Sequence, residues 1–223
     1  AWNSDIKKIE IGQLDITSVT KSEKEKNTWY IIVDPSAKKE DAVFFRVFGS
    51  ARAGRWGGVN INGASVEGAE SDGTNFIWSA YYTPDWNECG EATLVFNALP
   101  QNDNKYVYTL KLKIPNTENK APGFADGNSK TEEVVQYVSY TVDVASMFKD
   151  DDDTWLTYSV SVNDGDYTDC GAEHTYTPLT EGEHKLSFKA KDIAGAESQA
   201  FVLTLNASKY EHPEGAYIIE NFK

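Results

Sequence analysis

Apolar residues recur along the chain in short runs, separated by polar turn sequences. The clearest run covers residues 106–114, where the even-numbered positions are apolar and the odd-numbered positions are mostly polar. This alternation predicts a strand with one buried face and one wet face. Eight further runs are predicted as strands: 29–33, 42–48, 76–82, 93–96, 134–144, 156–162, 184–191 and 200–206. Only Lys21–Lys26 has a helix-like composition, and it is short and charged enough to predict a loop.

Many short strands at spacings of about 8–12 residues predict an all-β fold built from sandwiches. The segment Pro115–Phe124 has no apolar periodicity and contains two prolines, so it is predicted to be a linker. It divides the chain into domains 1–118 and 119–223, each of the size of an immunoglobulin-like sandwich. Residues 208–223 are expected to close the second domain or to begin a further one. The predicted architecture is therefore two tandem immunoglobulin-like β-sandwich domains.

Charge and composition narrow the classes of function. The 21 Lys and Arg residues against 35 Asp and Glu residues give a net charge of −14. This balance disfavours binding to a nucleic-acid backbone, which needs a basic surface. No stretch is apolar enough over about 18 residues to predict a membrane-spanning helix. Ala1 starts directly in polar sequence, so no signal peptide is expected in these residues.

The second half carries three motifs that resemble one family. Phe148–Tyr158 reads FKDDDDTWLTY, Ala190–Ala196 reads AKDIAGA, and Asn119–Phe124 reads NKAPGF. Together they resemble the acidic turn, the turn before the last strand, and the entry segment of cadherin-like and PKD-like immunoglobulin-type domains of bacterial surface proteins. The resemblance covers residues 119–206. It implies an extracellular position on a bacterial cell surface and a module within a larger protein.

The same resemblance implies a candidate calcium site. Calcium takes six to eight oxygen ligands, so several carboxylates must converge from loops. The positions that match the ligands of the family are Asp150, Asp152 and Asp192, with Asn119 as a carbonyl donor. Two positions depart from the family pattern: Asp153 stands where the family has glycine, and Thr154 where it has a third acidic residue. The alternative interpretation is a solvated acidic turn in which an aspartate caps backbone amides.

Aromatic residues in the first half form a second candidate site. Trp56 follows Arg55 and precedes two glycines, while Tyr82 and Trp86 lie where a predicted strand runs into a proline-containing turn. Exposed rings beside polar groups can stack on the C–H face of a sugar. The candidate ligand-binding residues are Trp56, Tyr82 and Trp86. The alternative is that these rings belong to a sandwich core, as Trp78 is expected to by its alternation.

No enzymatic motif stands out. The three histidines lack the spacing of a zinc site, and the sequence contains no nucleophile motif such as G-x-S-x-G. The predicted function is therefore non-catalytic: adhesion, display or spacing within a larger bacterial surface protein. The expected partners are other domains of that protein, an extracellular protein or a glycan. The alternative function is a carbohydrate- or nutrient-binding module that uses the aromatic residues of the first domain.

Overall fold

The computed structural model describes residues 6–50, 58–66, 70–99 and 106–215. The chain divides into two compact units, Ala1–Asn119 and Lys120–Lys223. Both units are built almost entirely of β-strands, which confirms the predicted all-β class. A single turn of 3-10 helix, Ala145–Met147, is the one helical element among the described residues. Of the C-terminal tail 208–223, expected to close the second domain or to begin a further one, residues 216–223 lie outside the described residues.

Unit 1 consists of two sheets that enclose one apolar core. Its strands are β1 (Ile6–Gly12), β2 (Ile16–Lys21), β3 (Thr28–Val33), β4 (Val43–Ser50), β5 (Gly58–Ile61), β6 (Ala64–Val66), β7 (Glu70–Ser71), β8 (Asn75–Tyr82), β9 (Glu91–Leu99) and β10 (Tyr106–Lys113). One sheet has the order β1-β4-β8-β7 and the other the order β2-β3-β10-β9-β5-β6. Between them, Phe45 of β4 meets Phe96 of β9 edge to face, with ring centroids 5.4 Å apart.

The strand order of unit 1 is immunoglobulin-like. Counted along the chain, β1-β4-β8-β7 corresponds to strands A-B-E-D of the immunoglobulin fold, and β10-β9-β5 corresponds to G-F-C of its second sheet. β3 adds to that second sheet by pairing in parallel with β10. β2 then extends the sheet by one further strand beyond β3, where it forms the edge.

Unit 2 has the same general arrangement around its own core. Its strands are β11 (Gly123–Phe124), β12 (Ser129–Val135), β13 (Tyr140–Asp143), β14 (Phe148–Lys149), β15 (Thr157–Val162), β16 (Thr168–Cys170), β17 (Glu173–Tyr176), β18 (Gly182–Lys191) and β19 (Phe201–Ser208). The main sheet has the order β12-β19-β18-β15-β16, with β12 parallel to β19. The pairs β11–β14 and β13–β17 form the opposing layer. Leu186, Phe188, Leu203 and Leu205 of the main sheet are fully buried in the core.

The run 134–144, predicted as one strand, is two strands in different sheets. β12 ends at Val135, and β13 begins at Tyr140. Between them Tyr137 takes a positive φ of 66°, and its N–H donates to the carbonyl of Pro178. The chain therefore crosses from one layer to the other at this turn. The prediction was wrong because both strands continue the same apolar-polar alternation across the turn.

The odd-numbered face of β10 was predicted to be exposed to solvent, but Lys113, the last residue on that face, is not. Lys113 is buried, with 2% of its surface exposed. Its Nζ donates to the carbonyl of Cys89 at 2.9 Å and lies 3.6 Å from Oε1 of Glu91, which is equally buried. Glu91 also accepts a hydrogen bond from the Asn87 side chain at 2.9 Å. The buried ammonium is thus paired with a carboxylate and a carbonyl, as a buried charge requires.

Candidate functional site

The acidic run of unit 2 forms the turn between β14 and β15. Oδ1 of Asp150 accepts the N–H of Asp152 at 3.0 Å, and Oδ1 of Asp153 accepts the N–H of Trp155 at 2.8 Å. Both are short-range side-chain bonds of the kind that Asp forms in turns. They fold the run 150–155 back on itself. Because of this local folding, Asp152 and Asp153 are buried although the sequence around them is strongly polar.

One carboxylate, that of Asp153, connects this turn to the loop between β18 and β19. The second oxygen of Asp153, Oδ2, accepts the N–H of Ile193 at 2.9 Å. Within that loop, Oδ1 of buried Asp192 accepts the N–H of Ala196 at 2.8 Å. Asp153 therefore bonds one backbone amide in its own turn and one that lies 40 residues further along the chain. Backbone amides stabilise its charge, as they do for other buried carboxylates with hydrogen-bond donors.

The position of Asp150 is less favourable for an ionised carboxylate than that of Asp153. Burial raises the pKa of its carboxyl group above the usual range, and the neighbouring charges of Asp152 and Asp192 raise it further, while the N–H of Asp152 acts in the opposite direction. Its second oxygen, Oδ2, is buried and has no hydrogen-bond partner among the described residues. A carboxylate in this position gains from any cation that approaches it.

The donor set suits a hard cation, but the arrangement is incomplete for one. Asp150 and Asp152 supply carboxylate oxygens of the kind that calcium prefers. Within the described parts of the chain, however, no three Asp, Glu, His or Cys side chains are grouped closely enough to hold a metal ion. Oδ2 of Asp152 lies 3.4 Å from the backbone nitrogen of Lys120, which donates to it. A bound ion would need backbone carbonyls and water to complete its ligands.

The four predicted calcium ligands do not all belong to the same unit. Asp152 and Asp192 lie close enough to Asp150 for their charges to raise its pKa. Asn119 is the last residue of unit 1, so unit 2 does not contain it. Asp153, which stands where the family has glycine, uses both oxygens on backbone amides. Sequence alone gives no signal for the bond to Ile193, because it depends on how two distant loops meet.

The aromatic candidates of unit 1 are only partly exposed. Trp56 lies outside the described residues. Tyr82 and Trp86 are half-buried and pack against the core of unit 1. The Tyr82 hydroxyl accepts a hydrogen bond from the Asn62 amide at 3.2 Å. Tyr81 is the exposed ring of this strand, and it packs against Phe44 at a centroid distance of 4.9 Å.

Trp86 lines a small polar cavity. The cavity has a volume of about 170 Å³ and is bordered by Trp86 together with the polar residues Asp15, Asp34, Ser36, Lys38 and Asp41. The carboxylate of Asp34 accepts hydrogen bonds from both the hydroxyl and the backbone N–H of Ser36, which lowers its pKa below the usual range. The Trp86 indole nitrogen is buried and has no hydrogen-bond partner among the described residues. An indole ring beside carboxylates and a hydroxyl is chemically suited to a small polar ligand.

Comparisons with known proteins add little to this geometry. No helix in the described part of the chain has the length and apolar character needed to cross a membrane. Neither a protein-family model nor a curated protein sequence matches the chain.

Among solved structures, the fibronectin(III)-like modules of Clostridium thermocellum CbhA match 78% of this chain and 91% of their own, at 13% identity and a TM-score of 0.30. The N-terminal Ig1-2 module of the Drosophila receptor protein tyrosine phosphatase DLAR matches 90% of this chain and 98% of its own, at 11% identity and a TM-score of 0.30. Extracellular cadherin domains 1–4 of protocadherin gamma B7 match 83% of this chain and 50% of their own, at 10% identity and a TM-score of 0.34. At these TM-scores the likeness carries no argument of its own, and the immunoglobulin-like assignment rests on the strand order of the two units.

Proposed function

We propose that the chain is a non-catalytic extracellular module that provides spacing, display or adhesion within a larger bacterial surface protein. One observation carries the proposal: two immunoglobulin-like units, each with its own core, follow one another along the chain. Only residues 114–122, two of them proline, separate the last strand of unit 1 from the first strand of unit 2. A self-supporting sandwich transmits position without needing a cleft, and a short proline-containing connection restricts how two of them can move.

Small-angle X-ray scattering of the whole chain tests the spacing function. A single compact body of this length has a radius of gyration of about 17 Å, and each unit alone about 13 Å. Two units that do not pack against each other must give a larger value than this single body. We expect a value clearly above about 17 Å. A value near 17 Å would mean that the units fold against each other, which contradicts a spacer.

Calcium binding is the second part of the proposal. We propose that Asp150 and Asp152 provide the carboxylates of a calcium site, completed by backbone carbonyls and water. The support is the buried oxygen of Asp150, which has no hydrogen-bond donor in the described part of the chain, together with the like charges around it. An ion there would neutralise the repulsion and stabilise the folded state by mass action. Asp192 and Asn119 remain predicted contributors to the same site.

A thermal melt in EDTA and in 5 mM Ca²⁺ tests this site. Sites in extracellular modules have a Kd of about 0.1–1 mM. Linkage then gives a stabilisation of about 1–2 kcal/mol at 5 mM Ca²⁺. For a unit of roughly 100 residues this raises the melting temperature by about 4–16 °C. Equal melting temperatures in the two buffers would remove calcium from the proposal and leave an acidic turn held by its own amides.

A carbohydrate-binding function is the alternative, and the cavity at Trp86 is the observation that favours it. The volume of about 170 Å³ suits a single sugar ring rather than a chain. Titration with monosaccharides, followed by isothermal calorimetry, tests this alternative. Trp86→Phe keeps an aromatic ring against the core but removes the indole N–H, so a sugar held at this site should bind the variant less tightly. No detectable binding to the unmodified chain would reject the alternative.

A further inference from the structure

Unit 1 has an apolar cleft where its two sheets separate at one side. The cleft has a volume of about 360 Å³ and is lined from both sheets. β1 contributes Ile9 and Ile11, β2 contributes Ile16 and Val19, and β3 contributes Trp29 and Ile31. The register explains why these residues face inward: Ile9 and Ile11 lie opposite the core residues Val47 and Phe45, and Val19 lies opposite buried Ile31. We call this cleft the β1–β2 seam.

The seam is open because the two sheets end at different places. β1 is the edge of its sheet and pairs only with β4 among the described strands. The other sheet continues past β3 to β2, and none of the described strands of the first sheet lies opposite the inward face of β2. Val19 is 59% exposed and Ile16 is 37% exposed, although both point toward the core side of the sheet. One additional strand beside β1, at the usual strand spacing of about 4.8 Å, would cover the inward face of β2.

The charge around the seam is opposite in sign to that of the whole molecule. Lys7 and Lys8 border the cleft, and the ammonium group of Lys21 lies 5.6 Å from the centre of the ring of Trp29, which lines the cleft. Glu10 is the acidic residue of β1, and it already pairs with Lys8 at 2.6 Å. The seam therefore combines an apolar floor with a basic border in a chain of net charge −14. Charge complementarity therefore favours a partner that presents acidic side chains to this basic border.

We propose that the β1–β2 seam is a docking site for an extended strand of a partner protein, with apolar residues alternating with acidic residues. The strand would add to the free edge of β1 by backbone hydrogen bonds. Its apolar side chains would enter the cleft against Val19 and Ile16, and its acidic side chains would face Lys7 and Lys8. This inference deepens the proposed adhesion function and rests on it, because it names the surface and the kind of partner.

A strand explains the seam better than a small amphipathic anion does. An anion with an apolar body would fill the cleft and meet the lysines, but it would leave the backbone edge of β1 uncovered. Exposed edge strands are surfaces that proteins normally protect, and β1 is seven residues long without a proline. A strand would pair with the backbone edge of β1, cover the apolar residues of the cleft and place acidic side chains near its lysines.

Titration of the ¹⁵N-labelled whole chain with defined peptides tests the proposal. The probe is the capped nine-residue peptide (Glu-Val)₄-Glu, and the matched peptides are (Lys-Val)₄-Lys and (Glu-Ser)₄-Glu. We expect the acidic apolar peptide to bind with a Kd of about 1 mM or tighter. Amide shifts should change along Ile6–Gly12, and both matched peptides should bind at least about tenfold more weakly.

A pair of variants distinguishes binding of the peptide in the seam from nonspecific binding to the chain. Val19→Lys introduces a charge into the seam, and we expect it to weaken binding of the probe peptide at least about tenfold. Val107→Lys is the matched control, because Val107 is 41% exposed and lies on the outer face of the same sheet. It should leave the affinity unchanged. Both substitutions are at exposed positions, so both variants should fold.

Three outcomes would overturn the proposal. One is absence of binding by the acidic peptide, and another is a set of shifted amides outside β1 and β2. The third is binding of the apolar anion 8-anilinonaphthalene-1-sulfonate in the seam without competition from the peptide, which would identify a small-ligand site instead. None of these outcomes alters the radius of gyration, so failure of the seam proposal is distinguishable from failure of the spacing function.

Discussion

Asp153 should be the residue that holds the acidic turn of unit 2 in place. Its carboxylate is 2% exposed and accepts one N–H from Trp155 within the turn and one from Ile193 in the β18–β19 loop. Asp153→Asn keeps the shape of the side chain and one acceptor oxygen. Its amide nitrogen cannot accept a hydrogen bond, so one of the two backbone amides loses its acceptor. The substitution should therefore destabilise unit 2.

The size of the loss follows from these two bonds. A buried donor left without an acceptor costs about 1–3 kcal/mol. The remaining bond changes from charge-assisted, worth about 1.5–3 kcal/mol, to neutral, worth about 0.5–1.5 kcal/mol. Removing one negative charge from a cluster that includes Asp152 and Asp192 offsets part of this loss. We expect a net destabilisation of about 2 kcal/mol, which lowers the melting temperature of a unit of roughly 100 residues by about 8–16 °C.

Differential scanning calorimetry of the whole chain in EDTA measures this change. Asp151→Asn is the matched control, because Asp151 is the exposed neighbour in the same turn and carries the same charge. If Asp153 acts through its hydrogen bonds, Asp153→Asn lowers the transition of unit 2 and Asp151→Asn leaves it within about 2 °C. Equal shifts in the two variants would refute the hydrogen-bond argument and assign the effect to charge alone.

Three further predictions concern other buried groups. Asp150→Asn should raise the melting temperature in EDTA at pH 7 and remove the calcium-dependent increase. Because burial raises the pKa of Asp150, its ionisation lowers the stability of the fold as the pH rises through that pKa. The higher melting temperature of the variant should therefore disappear in acid, where the carboxyl group of the unmodified chain is protonated. Gly90→Ala should destabilise unit 1 by at least about 2 kcal/mol in urea denaturation, since Gly90 has φ +71° and an added Cβ would lie 2.7 Å from the Ile114 carbonyl oxygen. Lys113→Met should cost about 3–5 kcal/mol in the same assay by removing the ammonium beside buried Glu91, and the double variant Lys113→Met/Glu91→Leu should recover most of that loss.

Strand positions are well predicted where alternation is regular and each strand ends in a turn sequence. The predicted ranges 29–33 and 184–191 fall wholly inside β3 and β18 for this reason. β1 and β2 escape prediction because their lysines, glutamate and threonines break the apolar pattern at the open side of unit 1. The same openness creates the seam. Prediction fails where a strand has no regular apolar face, as in β1 and β2, and also where a strand is short, as in β5 and β17.

The candidate sites are less predictable than the strands because they depend on long-range contacts. The resemblance to cadherin-like domains leads to Asp150, Asp152 and Asp192, and the charges of the last two raise the pKa of Asp150. It does not indicate that both oxygens of Asp153 bond to backbone amides, one of them in a loop 40 residues away. Tyr82 and Trp86 show the opposite difficulty: a turn next to a proline suggests exposure, while both rings pack against the core.

The acidic run therefore combines two kinds of carboxylate that respond differently to a cation. Asp153 is satisfied by the fold, so calcium can add little to it, and its loss weakens unit 2 with or without the ion. Asp150 is left with a buried oxygen and like-charged neighbours, so its ionisation opposes folding until a cation or a proton neutralises it. Substitution of Asp150 should thus raise stability in EDTA and lower the response to calcium, whereas substitution of Asp153 should lower stability and preserve the response. A calcium site and a purely structural turn predict the same loss at Asp153, and the melting temperatures of the Asp150 variant with and without calcium separate them.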